Sequence, residues 1–247
     1  MQEIAVRTGD LYRERSMSGL NSGLRQKRKL RHAVGAIGIG VYSLLVLCVP
    51  LAEADPHVPV IVAFGDSFTA GLGIPREAAF PAPLEMWLRW QGKATRVINA
   101  GKSGDTTANA LPRLDNALAA HPDIVILELG ANDALRGVDP AVTSSNLAAM
   151  IAQIQGSGAK LLLTGILAPP NWGEEYRQAF DHIYPELARS YNVPLYPFFL
   201  QGVALDPQVI QADGLHPNER GVWVIVNRIA PIVDRLFLSR PEPAAPR

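Results

Sequence analysis

The chain has 247 residues, 23 Lys and Arg against 23 Asp and Glu, 48% hydrophobic residues and one cysteine, Cys48. Its charge balance excludes the basic footprint of a nucleic-acid binder, and a lone cysteine excludes an intrachain disulfide framework. The length is enough for one domain with a core of its own.

The N-terminal segment reads as targeting sequence. Arg25-Gln26-Lys27-Arg28-Lys29-Leu30-Arg31-His32 is basic, and the run from Ala33 to Ala52 is uncharged and apolar. With Ala52-Glu53-Ala54 as a small-x-small site, the pattern predicts a secretory signal over residues 1–54, cleaved after Ala54. Met17 offers an alternative start that shortens the basic region to ordinary size. The rival reading is an uncleaved anchor formed by residues 33–52, because about 20 uncharged residues can cross a bilayer as one helix. Gly35, Gly38 and Gly40 weaken that anchor, and Leu47 stands before Cys48 where a lipoprotein signal needs a small residue. Cleavage leaves residues 55–247 without a thiol and with a formal charge of −4 (23 − 8 basic, 23 − 4 acidic).

Beyond the signal, apolar runs at Val58 to Phe64, Arg96 to Ala100, Asp123 to Leu129, Lys160 to Leu167 and Val193 to Phe198 alternate with segments long enough for helices. Near-continuous runs such as Ile124-Val125-Ile126-Leu127 suit parallel strands covered on both faces. Leu111, Leu114 and Leu118 recur at helical spacing, with Pro112 blurring that helix's boundary. Leu147, Met150, Ile151 and Ile154 mark a helix for which Asp139-Pro140 supplies a cap and a first-turn proline. A last helix follows Pro217 and carries Val222, Val226, Ile229 and Val233 inward. Five strands with flanking helices predict an α/β doubly wound sheet in one domain, residues 55–240, followed by a tail at 241–247. Ligands bind such sheets beyond the carboxyl ends of the strands. Ser67, the Gly101-Lys102-Ser103-Gly104 turn and the Gly130-Ala131-Asn132-Asp133 turn all emerge there and should share one crevice.

Those turns can supply acyl-transfer chemistry. A serine hydroxyl attacks at neutral pH only when a positioned imidazole takes its proton, and a carboxylate must orient that imidazole. Ser67 in Gly65-Asp66-Ser67 is the candidate nucleophile, His216 the base, and Asp213, three residues earlier, the orienting acid. The main-chain N–H groups of Ser67 and Gly104, with the Asn132 amide, are candidate oxyanion donors. Taken singly, Ser67 could be a helix cap, and the Asn-Asp and Asp-Gly pairs ordinary turns. Their joint occurrence beyond different strands favours catalysis. Asp66 reads as a structural or orienting neighbour of the nucleophile rather than the acid, and Asp105 and Asp133 as residues that cap or tie the site loops. Ala70-Gly71-Leu72-Gly73 lacks the lysine of a phosphate loop and reads as a tight turn.

Gly65-Asp66-Ser67, Ser103-Gly104-Asp105, Gly130-Ala131-Asn132-Asp133 and Asp213-Gly214-Leu215-His216 resemble, in order, the four blocks of SGNH (GDSL-type) hydrolases. Asn99-Ala100, Glu128-Leu129-Gly130, Leu135-Arg136-Gly137 and Pro197-Phe198-Phe199 resemble the bacterial periplasmic acyl-CoA thioesterase/lysophospholipase/arylesterase branch. The resemblance runs from about Val60 to the final helix. It implies a three-layer α/β/α sandwich with a five-stranded, flavodoxin-like parallel sheet, and ester or thioester hydrolysis without metal or other cofactor. Ala131 departs from the branch, which usually has a second glycine there; an alanine is strained at that place if its φ must be positive.

After the fourth strand, Ile166, Pro169, Pro170, Trp172 and Tyr176, together with Leu135, are candidates for an acyl-binding wall. The expected substrate is a small-molecule acyl ester or thioester, with no nucleic-acid partner. Membrane contact would come through a lipid substrate or an uncleaved N-terminus. The expected location is exported and periplasmic; the alternative is anchorage to the inner membrane by residues 33–52. A carbohydrate O-deacetylase on the same fold is the competing activity, and a non-catalytic lipid-binding envelope protein the competing class.

Overall fold

The computed structural model describes residues 57–238; the predicted signal, the alternative anchor and the tail from 241 lie outside them. Five parallel strands, β1 (Val60–Gly65), β2 (Arg96–Gly101), β3 (Ile124–Glu128), β4 (Lys160–Thr164) and β5 (Leu195–Tyr196), form one sheet in the order β2-β1-β3-β4-β5. The helices are α1 (Ser67–Ala70), α2 (Pro81–Trp90), α3 (Thr107–Ala110), α4 (Leu114–Leu118), α5 (Ala131–Arg136), α6 (Pro140–Gly156), α7 (Glu174–Asp181), α8 (Ile183–Ser190) and α9 (Glu219–Leu238). The direction of winding reverses after β2. Right-handed crossovers therefore put α2 on one face and α4, α6 and α8 on the other. The last helix, α9, returns to pack on α2. This is the three-layer α/β/α sandwich that the sequence implied.

Burial explains the apolar runs: every residue of β3 is buried, and Leu147, Met150, Ile151 and Ile154 of α6 are wholly inside. Asp139 caps α6 as expected, its carboxylate accepting the Ala141 N–H at 2.8 Å. Pro112 breaks the helix predicted around Leu111 into α3, a 3-10 turn at Leu111–Arg113, and α4. The fourth and fifth strands are shorter than their apolar runs. Pairing between them is confined to Leu163 with Leu195 and Thr164 with Tyr196, so Gly165 and Ile166 leave the sheet still buried. On the edge strand, the Glu85 carboxylate accepts the outward N–H of Val97 at 2.7 Å, which blunts an edge that could otherwise pair with another chain. Gly65 stands in register with Gly101 on one side and Glu128 on the other, which brings the ends of β1, β2 and β3 to one level at the switch point.

Candidate active site

Where β1 ends, a Cβ on Gly65 would lie 2.1 Å from Thr69 Oγ1 and 2.6 Å from Glu128 Oε2, so the strand closes on a glycine. Asp66 is the N-cap of α1, its carboxylate accepting the Phe68 N–H at 3.0 Å. Ser67 is thus the first helical residue rather than the cap, and its hydroxyl is left for other work. The Oγ lies 2.9 Å from His216 Nε2, and His216 Nδ1 lies 2.7 Å from Asp213 Oδ2. A carboxylate against Nδ1 places the imidazole proton there, which leaves Nε2 to accept from Ser67. The main-chain N–H groups of His216 and Leu215 donate to Asp213 at 3.0 and 2.9 Å and hold its carboxyl down at about 2. The His216 ring packs edge-on against Phe68, with centroids 5.5 Å apart.

After β3, Gly130 takes the positive φ of 118°, and a Cβ there would sit 2.1 Å from the Tyr184 hydroxyl. Ala131 opens α5 and is not among the residues of positive φ, so its methyl brings no strain. Asn132 Nδ2 donates to the Asp105 carbonyl at 3.0 Å and, at a longer 3.4 Å, to Asp66 Oδ2. This amide therefore reaches both the residue before Ser67 and the residue after Gly104. Gly104 itself is exposed, with φ 84°, and its carbonyl accepts from Arg136 Nη2 at 3.0 Å.

The loops are tied from below. Asp133 accepts from the Thr107 N–H at 2.8 Å, the Thr107 hydroxyl at 2.6 Å and the Thr143 hydroxyl at 3.2 Å. Arg113, which sequence reading passed over, donates to Asp105 Oδ2 at 2.6 Å, to the Ala100 carbonyl at 2.6 Å and to the Gly65 carbonyl at 2.7 Å. Its guanidinium lies 4.1 Å from the centre of the Phe64 ring. Nothing local in the sequence distinguishes it from any arginine beside a turn. Glu128 carried a signal, an acid closing an otherwise apolar strand. It is fully buried, with Oε2 accepting from the Thr69 hydroxyl at 2.7 Å. Burial, and then the charge of Asp66, raise the Glu128 carboxyl well above its ordinary range. Burial likewise pushes Asp66 up to about 7.

Of the six wall candidates, Leu135 and Trp172 are the largest exposed apolar side chains, Pro170 is exposed and Pro169 partly buried. Trp172 Nε1 donates to the Ala134 carbonyl at 2.9 Å, and its ring lies where a Cβ on Gly137 would come within 2.8 Å. The wall is therefore pinned to α5, the helix that bears Asn132. Tyr176 is partly buried, its hydroxyl donating to the Val138 carbonyl at 2.9 Å. With Phe180 and Tyr184 it continues a ladder of rings into the core, at centroid spacings of 6.4, 5.9 and 6.1 Å. Ile166 is the exception. At 4% exposure it belongs to the core, because the chain leaving β4 is still covered by its neighbours, and it offers no wall. Among the described residues, no group of three or more His, Cys, Asp or Glu could hold a metal ion.

A hydroxyl, an imidazole and a carboxylate joined in line at the carboxyl end of a parallel sheet are the arrangement that serine hydrolases use. Residues 63–224 match the model of the GDSL-like lipase/acylhydrolase family. An arylesterase of Vibrio mimicus is 44% identical over 182 residues, covering 73% of this chain and 91% of its own. The thioesterase 1/protease 1/lysophospholipase L1 of Escherichia coli K12 is 43% identical over 176 residues, 71% of this chain and 81% of its own. The crystal structure of TesA superposes with a TM-score of 0.68 at 40% identity, covering 72% of this chain and 99% of that one. The chain belongs to the GDSL-like lipase/acylhydrolase family, as its four sequence blocks implied, and is a carboxylic ester hydrolase.

Proposed function

We propose that the protein is an exported hydrolase that cleaves acyl esters and thioesters through an acyl-enzyme on Ser67. The observation that carries this reading is the unbroken hydrogen-bond line from Ser67 Oγ through His216 to Asp213. In the first half-reaction, Ser67 Oγ attacks the substrate carbonyl as its proton passes to His216 Nε2. Asp213, ionised down to about pH 2, stabilises the imidazolium from the far side. The tetrahedral oxyanion is met by the N–H groups of Ser67 and Gly104 and by the Asn132 amide, which turns one hydrogen to it from the long 3.4 Å contact with Asp66. His216 returns the proton to the departing alcohol or thiol as the carbonyl re-forms. Water then repeats the cycle on the acyl-serine, releasing the acid and restoring Ser67.

Residues 1–54 would direct export to the periplasm, and the exposed apolar wall at Leu135, Pro170 and Trp172 suits an acyl chain. The names of the relatives, an arylesterase and a thioesterase/lysophospholipase, fit the same substrate range. Labelling with a serine-directed fluorophosphonate and hydrolysis of a p-nitrophenyl ester test the nucleophile together. Ser67→Ala should remove labelling and lower kcat by about 10⁴-fold or more at unchanged melting temperature. Ester turnover at the wild-type rate by folded Ser67→Ala would refute the assignment.

A further inference from the structure

Ser67 and His216 are 149 positions apart in the chain, yet proton transfer between them requires their loops to stay in register within a fraction of an ångström. The His loop is closed on itself: Ile210 pairs with Pro217, the Gln211 N–H donates to the His216 carbonyl at 2.8 Å, and the Gly214 N–H donates to the Gln211 carbonyl at 3.0 Å. From this loop the side chain of Gln211 reaches across to the nucleophile turn. Its Nε2 donates to the Leu72 carbonyl at 2.8 Å and to the Pro217 carbonyl at 2.9 Å. Leu72 in turn donates its own N–H to the Ser67 carbonyl at 3.1 Å. Gly73, with φ 81°, makes room, since a Cβ there would lie 2.2 Å from Gln211 Oε1. Among the described residues, the Gln211–Leu72 bond is the only hydrogen bond besides Ser67–His216 that joins residues 65–74 to residues 205–218.

We propose that Gln211 is a positioning residue that sets the approach of His216 Nε2 to Ser67 Oγ by stapling the His loop to the Leu72-Gly73 turn. The proposal rests on the role given to Ser67 above. Both amide hydrogens are spent on carbonyl oxygens, so the task needs two donors on one nitrogen. A methionine of equal length supplies none, and a glutamate sets a carboxylate against two carbonyls. The glycines of Ala70-Gly71-Leu72-Gly73 acquire a purpose beyond turning the chain, because the second of them admits the amide.

The test uses the full chain and measures the rate at which a fluorophosphonate labels Ser67, the fraction of sites labelled, and KM and kcat for an acetyl ester. Gln211→Met and Gln211→Glu should label every site, at rates about tenfold or more below wild type, with kcat falling in step and KM within about twofold. Wild-type labelling rates in both variants would overturn the proposal. So would a reduced fraction of labelled sites, each reacting at the wild-type rate, since that pattern describes a residue that only keeps the protein folded. An unlabelled wild type would instead overturn the Ser67 assignment, and this proposal with it.

Discussion

Beneath Ser67 the crevice has a floor of buried acids, Asp66, Asp105, Asp133 and Glu128, each bonded to named donors within the loops that carry the site. The candidate acyl wall is different in kind. There Trp172 and Leu135 stand 46% and 43% exposed, and Trp172 is held by one indole hydrogen bond and by packing on Gly137. Buried polar networks have one good geometry, because each unpaired atom is costly away from water. An apolar surface tolerates many occupants, because its attraction follows the area covered. On the reading proposed above, chemistry belongs to the floor and substrate choice to the wall, and the two meet at α5, where Trp172 bonds the helix that bears Asn132.

The largest effect should come where the floor meets the reacting atoms. Asn132→Ala removes the amide that links Asp66 to Asp105 and is expected to lower kcat about a hundredfold or more with little change in KM. A rise in KM at constant kcat, read from steady-state kinetics, would move Asn132 from the oxyanion to ground-state binding. At the wall, Trp172→Ala should reduce kcat/KM for medium and long p-nitrophenyl esters by up to about 1 to 3 kcal/mol while sparing acetate, because only longer chains cover that surface. Equal losses for acetyl and decanoyl esters would make Trp172 a support of α5 and would revive the short-acyl deacetylase reading.

The smallest effect separates the floor's stability from its catalysis. Burial raises the Asp66 carboxyl from 3.8 to about 7, so the folded protein keeps a proton there that the unfolded chain releases. The stability tied to that proton is complete below the ordinary value and is lost as pH rises through about 7. Glu128, raised further, contributes a slope of the same sign. Melting temperature should therefore fall between about pH 4 and pH 7, and Asp66→Asn should flatten part of that fall. An unchanged slope in the variant would show that Asp66 is ionised in the folded protein across this range.

The grouping of Ser67, His216 and Asp213 was legible because each of its signals is local. Asp213 and His216 lie within one turn of chain, and Ser67 follows directly on an apolar strand, so their spacing marks them as candidates. The same holds for the Asp139-Pro140 start of α6 and for the central strands β1, β3 and β4, whose sides are both covered. Ile166 misled for the opposite reason: an apolar residue just past a strand looks the same whether it lines a groove or fills the core. Arg113 and Gln211 gave no local sign, since each acts on main-chain carbonyls that are distant in the chain.

The order of apolar runs, caps and glycines, then, was enough to predict a doubly wound parallel sheet and to mark the candidate hydroxyl, imidazole and carboxylate, because these depend on periodicity and on short-range backbone geometry; the flavodoxin-like arrangement was implied by the family resemblance. Tertiary structure alone decided that Asp66 rather than Ser67 caps α1, that Ala131 escapes positive φ, that Trp172 leans on Gly137, and that Gln211 spans from Pro217 to Leu72. Each of these is fixed by which carbonyl, ring or void a distant segment brings within about 3 Å, and hydrogen bonds and packing contacts act only at that range.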